Sequence, residues 1–103
     1  MTPEDFNIEL GKSYLRSKKV LIRKEKEYTG TRDRLELFHR AAYVQNINPC
    51  MALIGMVTKH FTSICDMSKD PTSYNLKIWR EKITDLRNYT FLLDALLVDL
   101  EVK

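Results

Sequence analysis

Apolar residues recur every three or four positions along most of the chain, which is the spacing of one face of an α-helix. The repeat is clearest near the C-terminus, where its members are Trp79, Ile83, Leu86, Thr90, Leu93, Leu97 and Leu100. Leu92 and Leu96 widen this apolar arc on one side. No segment keeps the alternation of apolar and polar residues that a half-buried strand shows. The pattern therefore predicts an all-α protein.

Residues that begin and end helices divide the chain into four helices. Thr2 with Pro3 is an N-cap residue followed by a proline in the first turn, and Asn48 with Pro49 repeats this arrangement. Gly30 is a C-terminal stop, and Thr31 is the next N-cap. The predicted helices cover about residues 3–28, 32–45, 49–66 and 74–101.

The third predicted helix has its apolar residues within an arc of about 120°. They are Cys50, Leu53, Ile54, Val57, Phe61, Ile64 and Cys65. Lys59 lies opposite this face, and His60 lies at its edge, where we expect a packed or surface histidine. The third and fourth helices are expected to form the apolar centre of a four-helix bundle-like domain.

Length and composition favour one globular domain over residues 1–103. The chain is 44% hydrophobic and 30% charged, as is usual for soluble proteins. No apolar run approaches the ~20 residues that span a bilayer, and the acidic start differs from a signal peptide. We therefore expect a cytoplasmic protein without membrane contact. A chain this small gains stability by burying a second face, so we also expect a homo-oligomer.

The two cysteines agree with that compartment. Cys50 and Cys65 lie fifteen residues apart in one predicted helix, which separates them by about 22 Å at 1.5 Å per residue. A disulfide needs Cα atoms within ~7 Å. We therefore expect both to be reduced, buried thiols.

The net charge of +3 conceals an uneven distribution. Nine of the seventeen lysines and arginines fall between Lys12 and Arg34, where only three acidic residues occur. A basic segment of this kind suits phosphates or other polyanions, and it is equally typical of a solvated helix face. Sequence-specific DNA binding is not expected, because no convincing helix-turn-helix is present.

Glu81, Asp85 and Tyr89 repeat at intervals of four residues. In a helix they share one strip of surface, which drifts by only ~40° per step. Leu92 and Leu96 continue the same flank. Because a flank facing plain solvent would not need those leucines, we expect the strip to line a partly covered groove, with Asp85 near a basic residue of another helix or subunit.

Three interpretations of this strip remain open. Glu81 and Asp85 can hold Mg²⁺ together with water and phosphate, as a nucleoside triphosphate hydrolase would require. Alternatively, Lys59 and the basic residues Arg23, Lys24 and Lys26 hold phosphates without metal, while Tyr28 or Tyr89 stacks on a base. In the third interpretation the two carboxylates form structural ion pairs with nearby lysines.

Three short motifs follow one another along the chain. The first is Lys24 to Gly30 followed by Leu35 to Ala42. The second is Ile47-Asn48-Pro49, an apolar helix and Lys59. The third is the strip formed by Glu81, Asp85 and Tyr89. In this order and spacing, over residues 24–100, the motifs resemble those of a group of small bacteriophage helical proteins of uncharacterised function.

That group is often linked to nucleotide-modification-associated proteins and, more distantly, to MazG-like all-α nucleoside triphosphate pyrophosphohydrolases. The resemblance implies a four-helix, often oligomeric protein that handles nucleotides, with a site formed by Tyr28, Lys59, Glu81, Asp85 and Tyr89. Two differences bear on hydrolysis: Thr29 separates Tyr28 from Gly30, and the ExxE motif of the MazG type is absent from the first helices.

Three functions follow as hypotheses. The leading one is a phage-type protein that binds a nucleotide, either to sequester a nucleotide signal or to support viral nucleotide metabolism, with no cofactor. The second is an Mg²⁺-dependent pyrophosphohydrolase that uses Glu81 and Asp85. The third is a protein–protein adaptor without a small-molecule site.

Overall fold

Four α-helices account for most of the chain in a computed structural model that describes residues 1–28 and 33–103, without the side chains of residues 27 and 28. The helices are α1 (Pro3–Tyr28), α2 (Glu36–Gln45), α3 (Pro49–Ser68) and α4 (Leu76–Asp99), with a 3₁₀ turn, Pro71–Ser73, between the last two. The described residues contain no strand, which confirms the all-α prediction. The predicted boundaries agree with these to within about two residues, except at the start of the second helix. Its predicted N-cap, Thr31, lies outside the described residues, and α2 begins at Glu36, about four residues later than predicted.

Local signals at the helix ends explain these boundaries. The side chains of Thr2, Asn48 and Asn75 each accept a hydrogen bond from the backbone N–H three residues further on, at 3.1, 3.0 and 2.9 Å. Each bond satisfies a donor that the first turn of a helix leaves without a partner. At the end of α2, Asn46 adopts a left-handed conformation with a φ of 55°, and its N–H bonds to carbonyls of the last turn.

The apolar core lies where α2, α3 and α4 meet. Four buried residues form its centre: Leu35, Phe38, Leu53 and Leu96. Leu53 and Leu96 are completely buried, with 0% exposure. Half-buried neighbours surround them, namely Cys50, Met56, Val57, Tyr89, Leu92 and Leu93. The centre expected at the third and fourth helices therefore extends to α2, while α1 lies against α4 outside this core.

The face of α3 that packs inward differs from the predicted one. Ile54 and Phe61 belong to the predicted stripe but are 50% and 55% exposed. Ala52 and Met67 lie outside that stripe and are buried. Cys50 and Cys65 are both free thiols, as expected, but Cys65 is exposed. Because α3 packs against both α2 and α4, the positions of these two neighbours, and not its own most apolar arc, decide which of its residues are buried.

The buried side of α4 is also rotated from the predicted seam. Ile83 and Leu100 are each 41% exposed, whereas Thr84, Asn88 and Leu96 are buried. The polar residues among them face α1, which contributes a serine rather than a leucine to the contact. Hydropathy alone could not identify a helix–helix contact made of polar side chains.

Within residues 1–28 and 33–103, no helix combines the length and the apolar character of a bilayer span.

Candidate functional site

A small polar contact holds α1 against α4. Ser17 is 1% exposed, and its hydroxyl oxygen accepts a hydrogen bond of 2.6 Å from Nε of Arg87. The backbone carbonyl of Ser17 accepts a second bond, of 3.3 Å, from Nδ2 of Asn88. A small residue here lets the two helices approach closely. These two hydrogen bonds join α1 to α4.

Two guanidinium groups lie near this contact. Burial lowers the pKa of Arg87 from its ordinary value, and the positive charge of Arg16 lowers it further. Arg16 itself donates a hydrogen bond of 2.9 Å to the hydroxyl of Ser13. Arginine stays protonated in proteins. The lowered pKa of Arg87 therefore reflects its burial first and the neighbouring charge of Arg16 second.

A groove of about 680 Å³ runs between α1 and α4, and we call it the basic groove. Its walls are formed by Arg16, Lys19, Val20, Arg23, Lys24, Lys77, Arg80, Glu81, Thr84 and Asp85. Six of these side chains are cations and two are carboxylates, so the groove has a surplus of four positive charges. Clustered charge of one sign in a concave surface raises the local concentration of oppositely charged ligands.

Asp85 joins three helices at one end of the basic groove. Its Oδ1 accepts a hydrogen bond of 3.4 Å from Nζ of Lys24 on α1. Its Oδ2 lies 3.9 Å from Nδ1 of His60 on α3. All three side chains are partly covered, with exposures of 28%, 35% and 22%. Asp85 thus lies in a partly covered groove within reach of basic residues from other helices, as expected from the sequence.

His60 belongs to this cluster, which the sequence analysis did not anticipate. Its ring packs against that of Tyr89, with centroids 5.2 Å apart and planes inclined at 41°. Nδ1 of His60 is buried and has no hydrogen-bond partner within the described part of the structure. One signal was available: His60 lies seven residues from both Leu53 and Met67, which are buried on the same side of α3.

A second concavity, of about 320 Å³, adjoins the first, and we call it the apolar pocket. It is lined by Leu21, Lys24, Arg34, Glu36, Leu37, Phe38, Arg40, Asp85, Asn88, Tyr89 and Leu92. Lys24 and Asp85 belong to both concavities. Oδ1 of Asn88 is a buried acceptor without a donor among the described residues. A cationic groove and a mostly apolar pocket therefore meet at one ion pair.

The structure brings together some of the residues that the sequence singled out. Asp85 and Tyr89 lie in one cluster, and Glu81 is an exposed residue on the wall of the basic groove. Lys59 is exposed on α3 and lines neither concavity. Tyr28 is the last residue of α1, and its side chain lies outside the described part of the structure.

Four groove cations were missed as individual residues: Arg16, Lys19, Lys77 and Arg80. The excess of basic residues in the first helix pointed to the α1 half of this set. The α4 half required the tertiary structure, because Lys77 and Arg80 look like ordinary surface charges in the sequence.

Metal binding would depend on Glu81 and Asp85 alone. Among the described residues, no group of three or more His, Cys, Asp or Glu side chains comes together to hold a metal ion. Two carboxylates one turn apart leave the remaining positions of an Mg²⁺ octahedron to water and phosphate. Asp85 would also have to exchange its lysine partner for the ion.

Comparisons with known proteins give no further guidance, since no protein family, curated protein or solved structure shows a significant match to this chain.

Proposed function

We propose that this protein binds a nucleotide or a nucleotide-derived small molecule, with its phosphates in the basic groove and its base in the apolar pocket. The observation that supports this proposal is the junction of the two concavities at Lys24 and Asp85. A nucleotide has a similar organisation, because a polyanionic chain and a flat aromatic ring, which can stack on apolar surface, are joined within one small molecule.

The phosphate half of the proposal rests on the cations of the groove. Arg16, Arg23 and Arg80 have planar guanidinium groups, which suit bidentate contacts with phosphate oxygens. Lys24 and Lys77 supply compact charges that follow a phosphate chain without strict geometry. A ligand with several phosphates neutralises more of the surplus charge than a monophosphate does. We therefore expect affinity to rise with phosphate number.

The base half rests on the apolar pocket. Leu37, Tyr89 and Leu92 provide apolar and aromatic surface against which a ring can pack, and stacking of this kind tolerates any base. Asn88 adds one specific feature, since its Oδ1 can accept a hydrogen bond from an amino or imino group. Such a bond would satisfy an acceptor that is otherwise left without a donor.

Thermal or chemical unfolding against a ligand panel tests the proposal. A ligand at 100 times its dissociation constant should raise the free energy of unfolding by about 2.7 kcal/mol. We expect nucleoside triphosphates to stabilise the protein without Mg²⁺, and a nucleoside alone or tripolyphosphate alone to stabilise it less. Release of pyrophosphate in the presence of Mg²⁺ would instead support the hydrolase, and no response to any ligand would support the adaptor.

A pair of charge-matched variants locates the phosphate contact. Arg80→Gln removes a cation of the basic groove, whereas Lys59→Gln removes an exposed cation that lines neither concavity. We expect nucleotide affinity to fall roughly tenfold for Arg80→Gln, the loss of one charged hydrogen bond, and to stay unchanged for Lys59→Gln. Equal losses in both variants would argue against the groove and for general electrostatic attraction.

A further inference from the structure

The side of α1 that faces away from α4 has an exposed apolar stripe. Ile8, Leu15 and Ile22 are 57%, 53% and 45% exposed. At ~100° per residue they lie about 140–180° around the helix from Ser17, the residue that contacts α4. Gly11 lies beside the stripe, and a Cβ atom there would have no neighbour within 4 Å. A long helix therefore presents a largely uncovered apolar face.

The total surface of the chain is larger than the average for a monomer of its mass. Its accessible area is 7807 Å², whereas the usual relation between area and mass gives about 6,000 Å² for a monomer of 12.1 kDa. The excess over the whole chain is about 1,800 Å². Obligate homodimers bury more than about 1,000 Å² on each partner. The chain therefore has enough excess surface to form a dimer interface of that size.

We propose that two copies of this chain form a homodimer by packing their α1 helices antiparallel along this stripe, with Leu15 near the two-fold axis. The three apolar residues are seven positions apart, which is the repeat of a two-helix seam. In the antiparallel arrangement Ile8 of one copy lies opposite Ile22 of the other. Leu15 also borders an open concavity that Phe91 of α4 lines. The three stripe residues line neither the basic groove nor the apolar pocket, so the interface is independent of the proposed nucleotide binding.

Charge complementarity selects the antiparallel orientation. Glu4 and Lys26 are each eleven residues from Leu15 and lie on the same side of α1 as the stripe. Antiparallel pairing therefore brings Glu4 opposite Lys26 of the partner subunit at both ends. Parallel pairing would instead place like charges together. Lys12 and Lys18 flank the stripe, where their stems can cover apolar surface while the ammonium groups remain in water.

Measurement of the mass in solution provides the first test. Sedimentation equilibrium should give twice the chain mass of 12.1 kDa, and Leu15→Glu should reduce it to that of one chain. Val44→Glu is the matched control, because Val44 is a 77% exposed apolar residue on α2, and this variant should remain dimeric. Helical circular dichroism verifies that both variants are folded.

Charge reversal tests the orientation. Glu4→Lys and Lys26→Glu should each weaken the dimer by roughly three- to tenfold, as expected for exposed ion pairs, and the double variant should recover the original affinity. Within one helix the two positions are about 33 Å apart, so recovery can arise only between chains.

Four results would overturn the proposal. These are a mass of one chain at every concentration, a dimer that tolerates Leu15→Glu, a dimer that Val44→Glu disrupts equally, and a double reversal that remains as weak as the single variants. A mass of one chain would mean that the stripe binds a different partner. A dimer that tolerates Leu15→Glu, or one that Val44→Glu disrupts equally, would place the interface on another face. A double reversal that remains weak would exclude the antiparallel orientation.

Discussion

At the scale of single residues, Asp85 contacts two basic side chains from two other helices. It accepts a hydrogen bond from Lys24, and it lies 3.9 Å from Nδ1 of His60. A carboxylate in this position can serve a ligand site by orienting those groups. It can also serve the fold as an ion-pair partner. Substitution separates the two roles because they affect different measurements.

We predict that Asp85→Asn leaves folding nearly intact and weakens nucleotide binding. The side chains of Asp85 and Lys24 are 28% and 35% exposed, so their ion pair contributes about 1 kcal/mol or less to the free energy of unfolding. Asp and Asn also have similar helix propensities. We expect the dissociation constant to rise roughly tenfold because the acceptor that orients Lys24 is weakened. Isothermal titration and urea unfolding measure the two effects.

Glu81→Gln is the comparison that isolates the cause. It removes the same charge from the wall of the basic groove but has no contact with Lys24 or His60 among the ion pairs of the described residues. If loss of negative charge were the only effect, both variants would bind phosphates more tightly. In the metal-dependent alternative, both variants would bind the nucleotide less tightly. A large fall in stability for Asp85→Asn, with affinity unchanged, would contradict the site.

Ser17→Ala should destabilise the contact between α1 and α4. Ser17 is 1% exposed and accepts a hydrogen bond from Arg87, and a bond to a charged group contributes about 1.5–3 kcal/mol. We expect the free energy of unfolding, measured with denaturant, to fall by an amount in that range. Ser68→Ala is the control, since the exposed hydroxyl of Ser68 bonds only to the carbonyl of Ile64 in its own helix among the described hydrogen bonds. Equal losses would show that Ser17 has no special role.

At the scale of whole elements, the helix caps are local and their energies can be tested separately. Asn48→Ala should lower the free energy of unfolding by about 1 kcal/mol, because the N–H of Met51 loses its acceptor. For a domain of this size that corresponds to a melting temperature about 4–8 °C lower. Asn7→Ala, an exposed change inside α1, should leave the melting temperature unchanged or raise it slightly. An unchanged midpoint for Asn48→Ala would contradict the cap.

Helix packing also explains why the interior faces differed from the predicted ones. Each of the central helices has more than one neighbour, and the neighbours differ in polarity. On α4, the buried residue Asn88 bonds to Ser17 of α1, while Leu96 belongs to the apolar core. The most apolar arc of α4 identifies only the side that faces the core. The side that faces α1 is buried but polar, so hydropathy does not reveal it.

At the scale of the whole molecule, stability should be graded from the core to α1. The core residues come from α2, α3 and α4, whereas α1 is held to α4 largely through polar groups. We predict that amide hydrogens in the N-terminal half of α1 exchange fastest among the helices and that those around Leu53 and Leu96 exchange slowest. Hydrogen exchange with mass spectrometry resolves these segments.

The Leu15→Glu variant is the control for this gradient. In the proposed dimer, protection of α1 should increase with protein concentration, and this dependence should vanish in the variant while α3 and α4 remain protected. Equal protection of α1 and α3 in the variant would contradict the gradient.

Local information in the sequence was sufficient for the helices and most of their ends; the start of α2 was missed because no side chain of the described residues caps it. Caps such as Asn48, prolines in the first turn and the helical repeat act over a few residues, so they do not depend on the rest of the fold. The groove at Asp85 could also be anticipated, because Leu92 and Leu96 continue its flank. The roles of Glu81, Asp85 and Tyr89 in ligand binding stay predictions.

Only the tertiary structure decided which residues meet. The contact between Ser17 and Asn88 and the ion pair between Lys24 and Asp85 join positions that are 71 and 61 residues apart. Such pairs depend on how α1 crosses α4, and polar contacts leave no hydrophobic repeat that could reveal it. For the same reason His60 became part of the cluster, while Lys59, its neighbour in sequence, points to another side of α3 because successive residues turn by ~100°.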